Sequence, residues 1–176
     1  MTVHAQPVNS ADVLDALLGI TPGQPLHTVR HARGKVVAAT QGSQALFFNP
    51  QPGEGPSLIE RLLVAWYACT LTPQPALAEH YRAALQGAGA SETVLAALAA
   101  GDVGALADPR QQAILAFTRT LILAPVEGDR SALLALRGAG LATEEVVVLA
   151  QLIAFLSYQV RLAAGLGALQ AAGAAQ

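Results

Sequence analysis

The tetrapeptide Thr72-Pro73-Gln74-Pro75 stands between two stretches that are each built to be helical, and it dictates how the chain runs there. Before it, SLIERLLVAWYACTL (57–71) opens on a serine suited to cap a helix and continues as an unbroken run of helix-forming residues. After it, PALAEHYRAALQ (75–86) starts on a proline at the first helical position, where the missing N–H is of no consequence, and stops at Gly87 and Gly89. Two helices joined by so short a connection lie against each other as an αα-hairpin. The hairpin also carries the densest set of chemically capable side chains in the sequence: Glu60, Trp66, Tyr67, Cys69, His80 and Tyr81. A site using Glu60 and His80 would lie between adjacent helices.

The rest of the chain reads as further helices around this hairpin. Ser10 is a suitable N-cap for a helix over 11–18, with Val13, Leu14, Leu17 and Leu18 on one face and Gly19 ending it. After the turn TPGQ, Pro25 opens a helix expected to run to Phe47, although Gly34 and Gly42 weaken it by about 1 kcal/mol each relative to alanine. NPQPGEGP (49–56) has the prolines and glycines of a loop, and it separates an N-terminal helical arm (1–49) from a core spanning 57–170. Ser91 starts a helix over 92–100, and Asp108, Pro109 and Gln111 give an acid cap, a first-turn proline and a capping-box partner for one reaching 123. Asp129 begins a shorter helix to Arg137. Thr143-Glu144-Glu145 begins the last, expected to end near Gln170 before a frayed tail, 171–176. No strand pattern and no fixed-period repeat is present, so the expected fold class is all-α.

Composition narrows what such a bundle does. The chain is 53% hydrophobic and only 12% charged, which leaves too few polar residues to cover its own surface. A homo-oligomer is expected to bury part of the remainder. A net charge of -2 with no basic cluster argues against nucleic-acid or anionic-membrane partners. The stretch 146–160 is apolar on almost every side, but its clean apolar run is shorter than the ~20 residues a membrane span needs, which favours a core helix or one shared with a neighbouring subunit. One cysteine excludes an internal disulfide and a cysteine-based zinc site. MTVHAQPVNSADV has neither the basic start nor the apolar run of a signal peptide, so a cytoplasmic location is expected.

Several residues admit both a structural and a chemical role. Ser57 and Glu60 have capping-box spacing; alternatively, burial between helices makes Glu60 a general base. Tyr67, seven residues on, shares the Glu60 face to within about 20°, so Glu60, Tyr67 and His80 could line one pocket, with Trp66 beside it. Cys69 falls about 180° from Glu60, and reads as a small buried hydrophobe or as the nucleophile of a one-cysteine peroxidase. Arg161 snorkels or pairs with a buried acid, Glu60 being one candidate. His27 and His31 share a helix face as metal-binding pairs do, but no carboxylate near them in sequence completes a site, and the pair reads as a solvated face. No metal and no cofactor is expected.

The order of pieces ERLLVAWYACTL, ALAEHYRAALQGAGAS, ETVLAALAAGD, PRQQAILAFTRTLILAP and GLATEEVVVLAQLIAFLSYQVRLAAGLGAL resembles the AhpD-like proteins, also called the carboxymuconolactone decarboxylase family, in its peroxidase-related branch. The resemblance covers about 11–170. It implies an AhpD-like helical bundle, assembled as a dimer, trimer or hexamer, acting on a hydroperoxide or another small organic molecule. In redox-active members a glutamate precedes a Cys-x-x-Cys pair and a histidine, the pair reducing a peroxide while the other two relay protons. Glu60 matches the glutamate, and His80 lies close to the histidine, offset by about one position. The thiol pair has no counterpart: Thr72 and Pro75 stand at the corresponding spacing. The implied function is thus a peroxidase-related, alkylhydroperoxidase-like protein without disulfide chemistry. The alternatives are a cysteine-independent acid/base enzyme on a small organic acid and a non-catalytic binding or assembly relative.

Overall fold

The computed structural model describes residues 12–51, 53 and 55–174, and among them all regular structure is helical. Most of the helices begin where a side chain takes up free backbone N–H groups; α2 and α3 do not. Asp12 caps α1 (Val13–Leu18) by accepting from the Asp15 N–H, and Gly19 ends it at φ 65°, a left-handed conformation that costs glycine little. The expected cap, Ser10, lies outside the described residues. Ser57 caps α4 (Leu58–Leu71) through a complete capping box with Glu60. Pro75 opens α5 (Pro75–Gly87), Ser91 caps α6 (Glu92–Ala99), Asp108 caps α7 (Pro109–Leu123) and Asp129 caps α8 (Arg130–Gly138).

Two elements differ from expectation. The helix expected from Pro25 to Phe47 is two helices, α2 (Pro25–His31) and α3 (Gly34–Phe47). The chain leaves helical geometry at Arg33 (φ -109°, ψ 59°), one residue before Gly34. The break lets α2 lean on α1, where Arg30 donates to Asp15 at 2.8 Å and to Asp12 at 3.0 Å, while α3 packs its Thr40 and Gln44 towards the last helix. The last helix, α9 (Thr143–Ala174), continues past the expected end near Gln170. Gln170 is tied into the fold by donating to the Leu18 carbonyl at 2.9 Å.

The centre of the bundle is α4, not α9. All ten residues from Glu60 to Cys69 are buried, which is possible only where neighbours surround the helix on every side. α5 folds back along it as the hairpin partner, and α7 and α9 close the other sides. α9, though apolar all round, is covered on part of its surface: Val147 (52%), Tyr158 (42%) and Leu169 (59%) stay exposed. Its Thr143–Gly173 stretch is long and apolar enough to cross a membrane, with an 18-residue window of mean hydropathy 1.7, and 44% of that window is buried in the fold. Buried Arg61 ties the end of α3 to the residue before the α4 cap, donating to the carbonyls of Phe47 at 3.3 Å and Pro56 at 2.7 Å. Gly55, at φ 118°, passes so close that a Cβ there would meet Arg61 Nη2 at 2.7 Å.

Candidate functional site

The 3.6-residue period of α4 divides its side chains between two environments. Leu58 and Leu62, four residues apart, share the face turned to α3 and α5, where they wall a cleft of about 260 Å3. Glu60 is about 200° from both and points the other way. The structure therefore does not join Glu60 and His80 in one pocket. Glu60 Oε2 accepts from the Ser57 N–H at 2.7 Å and Glu60 Oε1 from Arg110 Nε at 2.6 Å. Arg110 reaches on to Glu145 at 2.5 Å and to the Gly140 carbonyl at 3.2 Å, so one guanidinium bridges α4, α7 and α9. Its hydrogen bonds to Glu145 and then Glu60 raise the Arg110 pKa further, and the same bond holds Glu145 below the usual carboxylate range. Arg161 is not a partner of this cluster; it donates to the Ser157 carbonyl at 2.8 Å.

The cleft itself is lined by His80 and Tyr81 of α5 and by Gln44 and Phe48 from the end of α3. His80 is half-buried and meets the Tyr81 ring edge-on, with centroids 5.0 Å apart. Burial lowers its pKa, which leaves a neutral imidazole at neutral pH. Tyr81 is fully buried, and desolvation pushes its phenol well above the ordinary value. Its hydroxyl lies 2.6 Å from Gln159 Oε1 and 2.9 Å from Gln44 Oε1, and Gln159 Nε2 donates to Gln44 Oε1 at 2.9 Å. The phenolic proton goes to Gln159 Oε1 and a Gln159 amide proton to Gln44 Oε1, so both oxygens have donors in a buried network behind an otherwise apolar cleft.

The remaining residues singled out in the sequence lie elsewhere. Trp66 and Tyr67 are buried in the core and do not line the cleft. Cys69 lies on the Leu62 face of α4, seven residues on, close enough to Tyr81 to influence its ionisation. It is 1% exposed, and burial pushes its thiol up to about 12. A thiol in that setting is protonated and shielded, the opposite of what a peroxidatic cysteine requires.

Gln44, Gln159 and Arg110 were not anticipated. Gln159 is one of two amides inside the apolar 146–160 run, and the sequence does not say which is buried: Gln151 is exposed, whereas Gln159 is buried and finds partners. His27 and His31 do share a face, with stacked rings at 4.0 Å, but a carboxylate joins them after all: Asp15 of α1 brings Oδ2 to 2.7 Å from His31 Nε2. No model of a known protein family matches the chain, and no curated protein matches it.

Proposed function

We propose that this chain is a redox-silent AhpD-like protein that binds a small, largely apolar organic molecule in the cleft at His80, with the neutral imidazole as hydrogen-bond acceptor or general base. The observation that carries this reading is the convergence of His80, Tyr81 and Gln44 on one apolar cleft, a few polar groups in an apolar lining being the usual make-up of a ligand site. At about 260 Å3 it falls just below the ~300–1,000 Å3 of drug-sized sites, which favours a small phenol, ketone or organic acid. A neutral histidine near the cleft is suited to proton transfer around neutral pH.

Disulfide-based peroxide reduction needs a second thiol that the sequence lacks. The apolar surface at Val29 (69% exposed) and Leu169 (59% exposed), beside a groove of about 530 Å3 between α2 and α9, supports a homo-oligomer. A cytoplasmic location agrees with α9 having Glu145 and Gln159 satisfied inside the fold, where a lipid-facing helix would leave them without partners.

The test is thermal unfolding with a panel of small phenols, ketones and carboxylic acids. A ligand at a hundred times its Kd adds about 2.7 kcal/mol, worth roughly 5–10 °C in Tm for a chain of this size. Cys69→Ala should keep the ligand-induced shift and His80→Ala should lose it. A panel without any stabilising compound, or hydroperoxide consumption that depends on Cys69, would overturn the reading.

A further inference from the structure

We propose that Asp15, His27 and His31 form a binding site for a divalent transition-metal ion, Zn2+ being the best match, which ties α1 to α2. The site is separate from the His80 cleft and does not rest on the function proposed for it. His27 and His31 are one turn apart on α2, and their rings stack at 4.0 Å with an interplanar angle of 15°, so both present their nitrogens to the same side. Across from them stands Asp15 of α1. One ligand atom from each of the three lies within 4.8 Å of the others. Zinc bonds of about 2.0–2.2 Å to nitrogen and oxygen place tetrahedral donors roughly 3.3 Å apart, so small side-chain rotations bring this set into coordination.

The carboxylate is prepared for that role by its neighbours. Asp15 Oδ1 accepts from Arg30 Nη1 at 2.8 Å, which fixes the side chain and leaves Oδ2 directed at the histidines, 2.7 Å from His31 Nε2. Arg30 Nη2 in turn donates to both oxygens of Asp12, at 3.0 and 3.1 Å. Asp12 thereby balances the Arg30 charge, so the cluster of two aspartates and one arginine keeps a net negative charge for a cation to meet. Outer partners that orient a ligating carboxylate in this way are a regular part of metal sites.

The donor set decides the metal class. Two imidazoles and one carboxylate suit zinc and the later first-row divalent ions, whereas Ca2+ and Mg2+ prefer oxygen ligands throughout. Three protein ligands leave at least one position for water, and the shell reaches solvent, with 32% of the His31 side chain exposed. The competing arrangement is an ion pair between protonated His31 and Asp15, which needs no metal and gives His27 no part.

That difference sets the experiment. Tag-free protein, stripped with a chelator, is titrated with ZnCl2 by calorimetry, and its Tm is measured with and without one equivalent of Zn2+. One equivalent should bind per chain and raise Tm, while MgCl2 at the same concentration does neither. His27→Ala should weaken Zn2+ binding at least tenfold and abolish the Tm rise, with the metal-free Tm little changed, because the ring contact of His27 is with His31. Absence of saturable Zn2+ binding to the folded wild type would overturn the site. So would binding that persists unchanged in the His27→Ala/His31→Ala double variant, since the metal would then sit elsewhere on the chain.

Discussion

Arg110→Ala is expected to lose about 2–4 kcal/mol of unfolding free energy, a fall in Tm of roughly 5–15 °C for a chain this long. The guanidinium holds Glu60 at 2.6 Å and Glu145 at 2.5 Å, and its removal leaves two partly buried carboxylates facing each other without a cation. Breaking a fully buried pair costs about 3–5 kcal/mol; Arg110 is 25% exposed, so solvent screening moves the expectation to the lower side of that range. The loss should depend on pH in a definite direction. Glu145 has its pKa lowered in the folded state, chiefly by the Arg110 hydrogen bond, so the unfolded chain binds its proton more readily. The stability it contributes is complete above the ordinary glutamate pKa of about 4.3 and disappears as pH falls through the lowered value. The gap between wild type and Arg110→Ala should therefore narrow below about pH 4. Urea unfolding at pH 7 and pH 3.5 measures both effects, and a variant within about 0.5 kcal/mol of wild type at pH 7 would show the bridge to be screened by water.

Tyr81→Phe is expected to cost about 1–3 kcal/mol although it removes a single oxygen. The phenol donates to Gln159 Oε1 at 2.6 Å in a fully buried position, and the change leaves that amide oxygen without its donor. If the cost lies in the stranded amides, replacing them should relieve it. Gln44→Leu and Gln159→Leu made on the Tyr81→Phe background should recover part of the loss, whereas each made alone on the wild type should destabilise. Strictly additive losses across the cycle would contradict this and assign the cost to packing.

What the sequence made legible was the local part of the structure. The Ser57–Glu60 capping box, the Pro75 start of α5 and the caps at Ser91, Asp108 and Asp129 depend on residues a few positions apart, and they stand as expected. The interruption at Ala32 and Arg33 was not legible, because it accompanies ion pairs from Arg30 to Asp12 and Asp15 across an intervening turn. The partner of Glu60 was sought at Arg161 and found at Arg110, whose approach depends on how α7 and α9 pack on α4. Helical period put Tyr67 on the Glu60 face correctly, yet that face turns away from His80, and no periodicity within α4 says which neighbour each face meets. The same holds for the amide floor of the cleft, assembled from Gln44, Tyr81 and Gln159 on three separate helices. Apolarity all round marked out α9, but enclosure depends on neighbours, and α4 has them on every side.

Ligand binding in the cleft is read out at its one imidazole, by NMR of His80 titrated with pH and with small phenols, ketones and carboxylic acids. Trp66, the single tryptophan, gives one indole signal as a control that the core stays folded. The account predicts that His80 titrates below the ordinary histidine pKa, and that at least one compound class shifts its signals saturably. It also predicts that Ala88→Leu, which fills the cleft from α5, removes the ligand shift while the indole signal stays in place. A His80 that titrates as in a free peptide and responds to no compound, or a response that survives Ala88→Leu, would contradict it.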